Sequence, residues 1–338
     1  MLIEQMISVI DAHTTGTPIR IITSGIPTLK GKTISDKMED MREHYDYLRT
    51  CIMQQPRGFT SLVGAVLTEP TAEEADYGLF YIDDLTYQPM CGAGTLAVAK
   101  ALVSTGMVKV TEPETQVVLE TPTGIVRVAV EVTNGNAGRV SLKNIPGFLY
   151  KKDLELEIEG IGHFLVDIGF GGNFFVLVDI ESIHDTIRKD RIGDLRKLSR
   201  IILKATNEKI HVVHPENPSI NYLDQLLYYS TKQQEDGGCL AQCIFGDAQA
   251  DISPCGTGTS TRLAQKFFRG EIKLGEVYRQ KSVCGGTFEA VLVEETTVGG
   301  LSAVIPVVSC SDVHITGFNQ LVVEKDDKLK NGFISWQE

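Results

Sequence analysis

Two cysteines of this 338-residue chain occupy the same short motif. The sequence reads Cys-Gly-Ala-Gly-Thr at Cys91 and Cys-Gly-Thr-Gly-Thr at Cys255, and each motif is followed by a helix-like stretch. A cysteine at the start of a helix lies beside backbone N–H groups that have no partner within the helix, and the helix dipole favours an anion there. The motif therefore predicts two thiols with a pKa below the free value of about 8.5, each beside a cradle for a carboxylate.

Two such thiols can serve as base and acid on a single carbon atom. One thiolate removes the α-proton of an amino acid from one face, and the opposite thiol returns a proton to the other face, so the configuration inverts. Fixed N–H donors stabilise the charge that develops on the substrate carboxylate. No cofactor motif is evident, so we expect a cofactor-independent racemase or epimerase. A Cys–His hydrolase stays an alternative, with His13 as the best-placed histidine, but no motif links His13 to either cysteine.

The cysteine motif belongs to a longer internal repeat. Asp11 lies 80 residues before Cys91, and Asp167 lies 88 residues before Cys255. Each aspartate opens a segment with a glycine five residues later. Matched features in one order and at nearly equal spacing indicate two homologous halves.

Each half has the pattern of short β-strands with one central helix. The helices are predicted at 95–105 and 259–269, and Gly106 and Gly270 mark their ends. The mixed-charge run from Arg188 to Arg200 is interpreted as a solvated helix face. Such a pattern predicts an α+β fold of two β-rich domains, each built around a central helix. The predicted domains are 1–150 with 313–338, and 151–312; the tail 315–323 has no counterpart in the repeat and is expected to pair with the first domain.

The composition of the chain limits the kinds of partner and the cellular location that we expect. The net charge is −12 and no Lys/Arg cluster occurs, which argues against binding of nucleic acid. No run of 18 apolar residues occurs, which argues against a membrane span. The N-terminus lacks the basic start of a signal peptide, so we expect a cytoplasmic protein. Seven scattered cysteines indicate thiols rather than a disulfide framework. Cys239 and Cys243 are spaced for one helix face but lack a second ligand pair, so we expect no metal.

At these motifs the chain resembles the proline racemase family. The resemblance runs from about residue 8 to residue 333, and its most specific segment is Ser-Pro-Cys-Gly-Thr-Gly-Thr. The family includes proline racemases, 4-hydroxyproline 2-epimerases and trans-3-hydroxyproline dehydratases. It implies a diaminopimelate-epimerase-like fold with the active site in the cleft between two domains. The segments that carry the resemblance are IDAHTTGTPIRI, PRGFTSLVGAVLTEP, MCGAGT, DIGFGGNFF, DISPCGTGTS and ITGFN.

The resemblance assigns roles to particular residues. Cys91 and Cys255 match the catalytic thiols, and Asp251 matches the acid that contacts the ring nitrogen of the substrate. Val63 and Phe245 match positions near the substrate ring, and both are apolar, which suits proline better than a 4-hydroxyl group that needs a partner. The family's carboxylate cradle corresponds to the backbone N–H groups of Gly92, Ala93, Gly256 and Thr257. The implied ligand is a small imino or amino acid, and a homodimer is a possible assembly.

The sequence also departs from the family pattern. Ala93 stands where a histidine is common, and Ile252 replaces a usual arginine. Loss of the histidine leaves open a catalytically weak, imino-acid-binding homologue. The dehydratase alternative is less favoured, because family dehydratases typically carry threonine at the position of Cys255.

Overall fold

The computed structural model describes residues 3–246 and 248–334, and these residues form two compact units. The first unit contains Met1–Leu142 and Ser311–Glu338, and the second contains Lys143–Cys310. Among the described residues, no helix is both long and apolar enough to cross a membrane.

The first unit begins with eight strands and two helices. Its helix α2 is apolar on nearly all sides and packs against strands of its own unit, which is why so few polar side chains occur along it. In chain order the elements are β1 (Ile3–Thr14), β2 (Thr17–Ser24), α1 (Ile34–Met53), β3 (Val63–Thr68), β4 (Tyr77–Ile82), β5 (Tyr87–Gln88), α2 (Gly92–Thr105), β6 (Glu114–Thr121), β7 (Gly124–Thr133) and β8 (Asn136–Lys143).

The second unit repeats this order, and the last strand of the chain returns to the first unit. Helix α4 is the second central helix and packs against strands of the second unit. The elements are β9 (Phe148–Ile158), β10 (Gly162–Phe170), β11 (Phe174–Asp179), α3 (Ile192–Lys209), β12 (Gln225–Gln233), β13 (Cys239–Phe245), β14 (Gln249–Ala250), α4 (Gly256–Phe268), β15 (Tyr278–Lys281), β16 (Thr287–Val298), β17 (Leu301–Cys310) and β18 (Val313–Glu324).

Strand pairing confirms the repeat. In the first unit β1–β2 is antiparallel, β2–β3 parallel, β3–β4 antiparallel, β4–β6 parallel and β6–β7 antiparallel. The second unit has the same sequence of pairings in β10–β11, β11–β12, β12–β13, β13–β15 and β15–β16. The predicted α+β class with pseudo-symmetric, β-rich domains is therefore confirmed.

The C-terminal tail pairs with the first unit as predicted, because β18 lies antiparallel to β1. The expectation that it has no counterpart was wrong. Strand β9 lies antiparallel to β10 in the second unit, so each unit has one additional strand on its first hairpin. In the second unit that strand precedes the hairpin in the chain, whereas in the first it comes from the far end. A linear alignment therefore cannot match the two.

The two central helices lie where they were predicted, but the structure has further helices. The central helices begin three residues earlier than predicted, at Gly92 and Gly256, directly after the cysteines. Gly106 has the left-handed φ of 70° that ends α2. Each unit also has a second helix. Helix α3 covers the second part of the Arg188–Arg200 run, whereas α1 was not predicted.

The helical interpretation of Cys239 and Cys243 was wrong, because both lie in strand β13. Residues four apart in a strand lie on the same face but are separated by about 13 Å. The two thiols are therefore too far apart to bind the same metal ion.

Each of the two repeated aspartates accepts hydrogen bonds from an arginine of its own unit. Asp11 accepts a hydrogen bond from Arg20 at 2.9 Å, across the β1–β2 pair. Asp167 is buried and accepts two hydrogen bonds from Arg269, each at 2.7 Å. Burial opposes ionisation of Asp167, but the hydrogen bonds from Arg269 and Gln265 outweigh it, and the pKa of the carboxyl is lowered.

Replacing Arg269 by alanine should lower the free energy of unfolding by about 3 kcal/mol at pH 7, because it leaves a buried carboxylate without its cation. In the native protein the lowered pKa of Asp167 stabilises the fold fully above the ordinary carboxyl pKa of about 3.9, and this contribution is lost as the pH falls through the lower folded value. The difference between the two proteins should therefore shrink below about pH 4.

Urea unfolding at several pH values measures this difference. The matched control is Arg188→Ala, which removes an exposed ion pair with Asp190 and should cost less than about 1 kcal/mol. Equal losses in the two variants would contradict the role given to Asp167.

Candidate active site

The first thiol caps the central helix of the first unit. Cys91 follows strand β5 in an extended conformation, and its Sγ accepts a hydrogen bond from the N–H of Gly94 at 3.4 Å. A Cβ on Gly94 would lie 2.6 Å from the ring of Tyr81, so only glycine fits at this position. The thiol is half-buried. The turn therefore needs its second motif glycine for packing, and not for flexibility alone.

Hydrogen bonds hold this first turn. The hydroxyl of Thr95 donates to the carbonyl of Cys91 at 2.7 Å and lies 2.6 Å from the hydroxyl of Tyr81. Thr14, at the end of β1, donates to the carbonyl of Ala93 at 2.8 Å. Burial, and next the charge of Cys91, raise the pKa of Tyr81 well above its ordinary value. The phenol therefore stays neutral and supports the helix end as a hydrogen-bonding group.

The second thiol caps the central helix of the second unit with the same contact. The Sγ of Cys255 accepts from the N–H of Gly258 at 3.3 Å and lies 3.6 Å from the hydroxyl of Thr257. Thr259 donates to the carbonyl of Cys255 at 2.7 Å, as Thr95 does to that of Cys91. Cys255 differs in being buried and in having a φ of 68°. A non-glycine residue in this left-handed region is uncommon and typical of functional sites.

Both helix ends offer N–H groups for an anion. The third N–H of each helix donates to the cysteine Sγ, and the fourth donates to the cysteine carbonyl. The first two N–H groups of a helix point out of its end. In α2 these belong to Gly92 and Ala93, and in α4 to Gly256 and Thr257. Each thiol is therefore next to two donors that suit a carboxylate.

Asp251 lies beside the second thiol. Its Oδ1 accepts from both the N–H and the hydroxyl of Ser253, each at 2.9 Å, and the Ser253 hydroxyl in turn accepts from the N–H of Cys255 at 3.1 Å. An oxygen of the carboxylate, the Sγ of Cys255 and the Sγ of Cys243 all lie within 4.8 Å of one another. The carboxylate is thus fixed near the thiol, and the three atoms are of types that bind a metal ion.

The two predicted ring-contacting residues lie in different units. Phe245 ends strand β13 and packs against the apolar cluster that contains Cys255 and Cys243. Val63 begins strand β3, where it pairs with Ile19 and is buried. The structure therefore brings Phe245, Asp251 and Cys255 together within the second unit.

His13 has a local role in the first hairpin. Its Nδ1 accepts from the N–H of Gly16 at 3.2 Å, and its ring lies tilted against that of His314, with 5.2 Å between the ring centroids. Sequence reasoning did not single out the supporting residues Tyr81, Thr95 and Ser253. Thr95 could have been found, because threonine is the fifth residue of both cysteine motifs and makes the same bond in each. Tyr81 could not, because only the fold brings its strand to α2.

Comparisons with known proteins identify the family of this chain. The sequence profile described as proline racemase matches residues 9–334. A proline racemase of Clostridioides difficile is 40% identical over 334 residues, covering 99% of both chains. A 4-hydroxyproline 2-epimerase of Shewanella loihica is 34% identical and covers 96% of this chain and 97% of the relative.

A solved structure shows the same fold in a relative. The crystal structure of a hydroxyproline epimerase from Agrobacterium vitis, with bound trans-4-hydroxy-L-proline, superposes with a TM-score of 0.93 at 28% identity. The superposition covers 99% of this chain and 96% of the other. The fold is thus the diaminopimelate-epimerase-like fold that the family resemblance implied. The sequence profile, the relatives and the solved structure all match nearly the whole length of the chain. The chain therefore belongs to the proline racemase family.

Proposed function

We propose that this protein is a cofactor-independent isomerase that inverts the α-carbon of proline or a hydroxyproline, with Cys91 and Cys255 as its acid and base. The observation that carries the proposal is the twofold occurrence of one turn, in which a thiol caps a central helix and accepts from its third N–H. Inversion needs one proton-transfer group for each face of the α-carbon, and the repeat supplies two thiols for this task.

The proposed reaction begins with binding of the substrate carboxylate. Its oxygens accept hydrogen bonds from the N–H groups at the helix ends, including those of Gly92, Ala93, Gly256 and Thr257. One cysteine, as thiolate, takes the α-proton, and the electron pair moves toward the carboxylate. The same N–H groups stabilise the charge that develops there. The other cysteine, as thiol, then donates its proton to the opposite face.

The remaining residues orient the ring. We propose that the Asp251 carboxylate binds the protonated ring nitrogen, because it lies near Cys255 and is held by two hydrogen bonds from Ser253. Val63 and Phe245 would cover the apolar ring carbons. The positive charge on the ring nitrogen also makes the adjacent α-carbon more acidic, which assists the proton transfer.

The competing functions predict different products. A dehydratase would release water from trans-3-hydroxyproline, and an imino-acid-binding homologue would bind without exchange. The thiol at position 255 favours two-sided proton transfer, whereas Ala93 in place of the family histidine favours the binder. We infer a cytoplasmic location and propose a small imino acid as the ligand, with a homodimer as a possible assembly.

The substrate class can be tested by α-proton exchange in D2O. We expect proline or 4-hydroxyproline to lose its α-proton signal in proton NMR and to form the opposite configuration at C2. Trans-3-hydroxyproline should not yield a dehydrated product. If none of these compounds exchanges its α-proton, yet one binds in calorimetry, the protein is a binder and the proposed isomerase activity fails.

Replacing either catalytic thiol should abolish inversion. Serine at position 91 or 255 is a far weaker acid, so each single variant should lose about 10²–10⁴-fold in inversion rate, the usual contribution of a general acid or base. Polarimetry with each enantiomer gives the rate. Exchange of one enantiomer alone in D2O is compatible with the mechanism, because one thiol remains.

The control is Cys51→Ala. Cys51 is buried in α1, where burial raises the pKa of its thiol, so its removal should leave the inversion rate unchanged. An inversion rate in Cys91→Ser or Cys255→Ser close to that of this control contradicts the two-thiol mechanism.

A flat analogue should protect the catalytic thiols. Pyrrole-2-carboxylate resembles the planar carbanion and should bind more tightly than the substrate. In a Cys284→Ser background, which removes an exposed thiol, iodoacetamide should modify Cys91 or Cys255 first, and the analogue should slow this labelling. Peptide mass spectrometry identifies the site. Labelling that begins at Cys51 or Cys310, or that is insensitive to the analogue, would count against this assignment.

A further inference from the structure

We propose that Cys243, Asp251 and Cys255 form a binding site for Zn²⁺, and that Zn²⁺ bound there inhibits the enzyme by occupying the second catalytic thiol. The inhibition rests on the proposed function, whereas the metal site rests only on the three side chains. Cys243 has no part in the proposed reaction.

The geometry of the three ligand atoms suits a tetrahedral ion. Both Sγ atoms and a carboxylate oxygen lie within 4.8 Å of one another. With Zn–S bonds of about 2.3 Å at tetrahedral angles, two sulfur ligands are about 3.8 Å apart. Movements of about half an ångström in each side chain therefore complete the site. Two thiolates and a carboxylate are also among the ligands that Zn²⁺ prefers.

The backbone brings these ligands together. Cys243 lies in β13, and the N–H of Asp251 donates to the Cys243 carbonyl at 3.0 Å, just beyond the β13–β14 pair. Cys255 follows four residues after Asp251, at the start of α4. The side chain of Gln242 donates to the carbonyls of both Cys243 and Asp251, at 2.9 and 2.8 Å. The three residues thus lie on connected and hydrogen-bonded segments.

The surroundings also favour a bound ion. The Ser253 N–H and hydroxyl hold one carboxylate oxygen of Asp251, which orients a ligand as outer-shell partners do at known metal sites. Both thiols are buried, so few waters compete with the protein ligands. The apolar residues packed around them are Phe175, Leu177, Leu227, Tyr229 and Ala241, with Phe245 partly buried beside them.

Three protein ligands leave a fourth position open for water or for a carboxylate. A Cys255 thiolate bound to Zn²⁺ can neither accept nor return a proton, so the ion must leave before inversion proceeds. Substrate analogues and Zn²⁺ should therefore compete, because the ion occupies Asp251, which is proposed to bind the ring nitrogen, and the space beside Cys255.

The test is a titration of the full-length protein with Zn²⁺, under a reductant that keeps the thiols reduced. We expect one Zn²⁺ per chain in calorimetry, and with Co²⁺ we expect a thiolate-to-cobalt charge-transfer absorption. Cys243→Val and Cys243→Ser should each weaken Zn²⁺ binding by at least about tenfold, since even outer-shell changes cost 10–100-fold. They should raise the inhibitory Zn²⁺ concentration by the same factor and leave the zinc-free rate unchanged.

Cys239→Ser is the matched control, because it alters another buried thiol of the same strand outside the site. It should bind Zn²⁺ as the native protein does. Equal binding by the native protein and both Cys243 variants would overturn the site, as would an active enzyme that shows no thiolate-to-cobalt absorption. If Zn²⁺ binds as expected but no imino acid exchanges its α-proton, the site stands and the proposed function fails.

Discussion

The hydrogen bond from the third helix N–H to a cysteine Sγ is the contact on which both halves of this protein depend. It occurs at 3.4 Å in the first unit and at 3.3 Å in the second. Because the donor is a glycine packed against the thiol and a neighbouring side chain, the helix end, the thiol and the first two helix N–H groups have fixed positions relative to one another. A side chain at Gly94 would meet Tyr81, and one at Gly258 would meet Cys255 itself. The same turn therefore fixes both the thiol proposed for proton transfer and the N–H groups proposed to bind the carboxylate.

Each turn keeps its position because its helix lies among the strands of its own unit. Most residues of the two central helices are buried, and the strands around them pair in the same order in both units. A threonine in each motif joins the helix to the cysteine carbonyl, and in the first unit Tyr81 and Thr14 hold the same turn from the strands. Catalytic geometry on a rigid element of this kind needs little rearrangement during reaction.

The two turns are similar but not equivalent. Cys91 is extended, half-buried and supported by hydroxyl groups, whereas Cys255 has a left-handed φ and lies in an apolar cluster with a carboxylate and a second thiol nearby. A symmetric pair of thiols suits the proposed two-directional proton transfer. The proposed recognition of an imino acid needs a carboxylate on one side only, and Asp251 is the residue proposed for it. In the proposed mechanism, the duplication supplies the two thiols, and divergence of the second half supplies the carboxylate that selects the ligand. The same divergence places Cys243 where it can bind a metal ion together with the catalytic thiol.

The sequence alone determined the repeat, the two helix-capping cysteines, the α+β class and the family, because each of these depends on local motifs and their spacing. It placed the central helices to within three residues, since the Cys-Gly-x-Gly turn and the terminal glycines are local signals. Only the tertiary structure showed that β9 is the counterpart of β18, because each strand is recognised by its partner and not by its order in the chain. The tertiary structure also placed Cys243 in a strand and brought it near Cys255. Contacts that depend on how strands pair leave no periodic signal in the sequence, so Tyr81 behind Cys91 and Cys243 beside Asp251 became visible only in the folded structure.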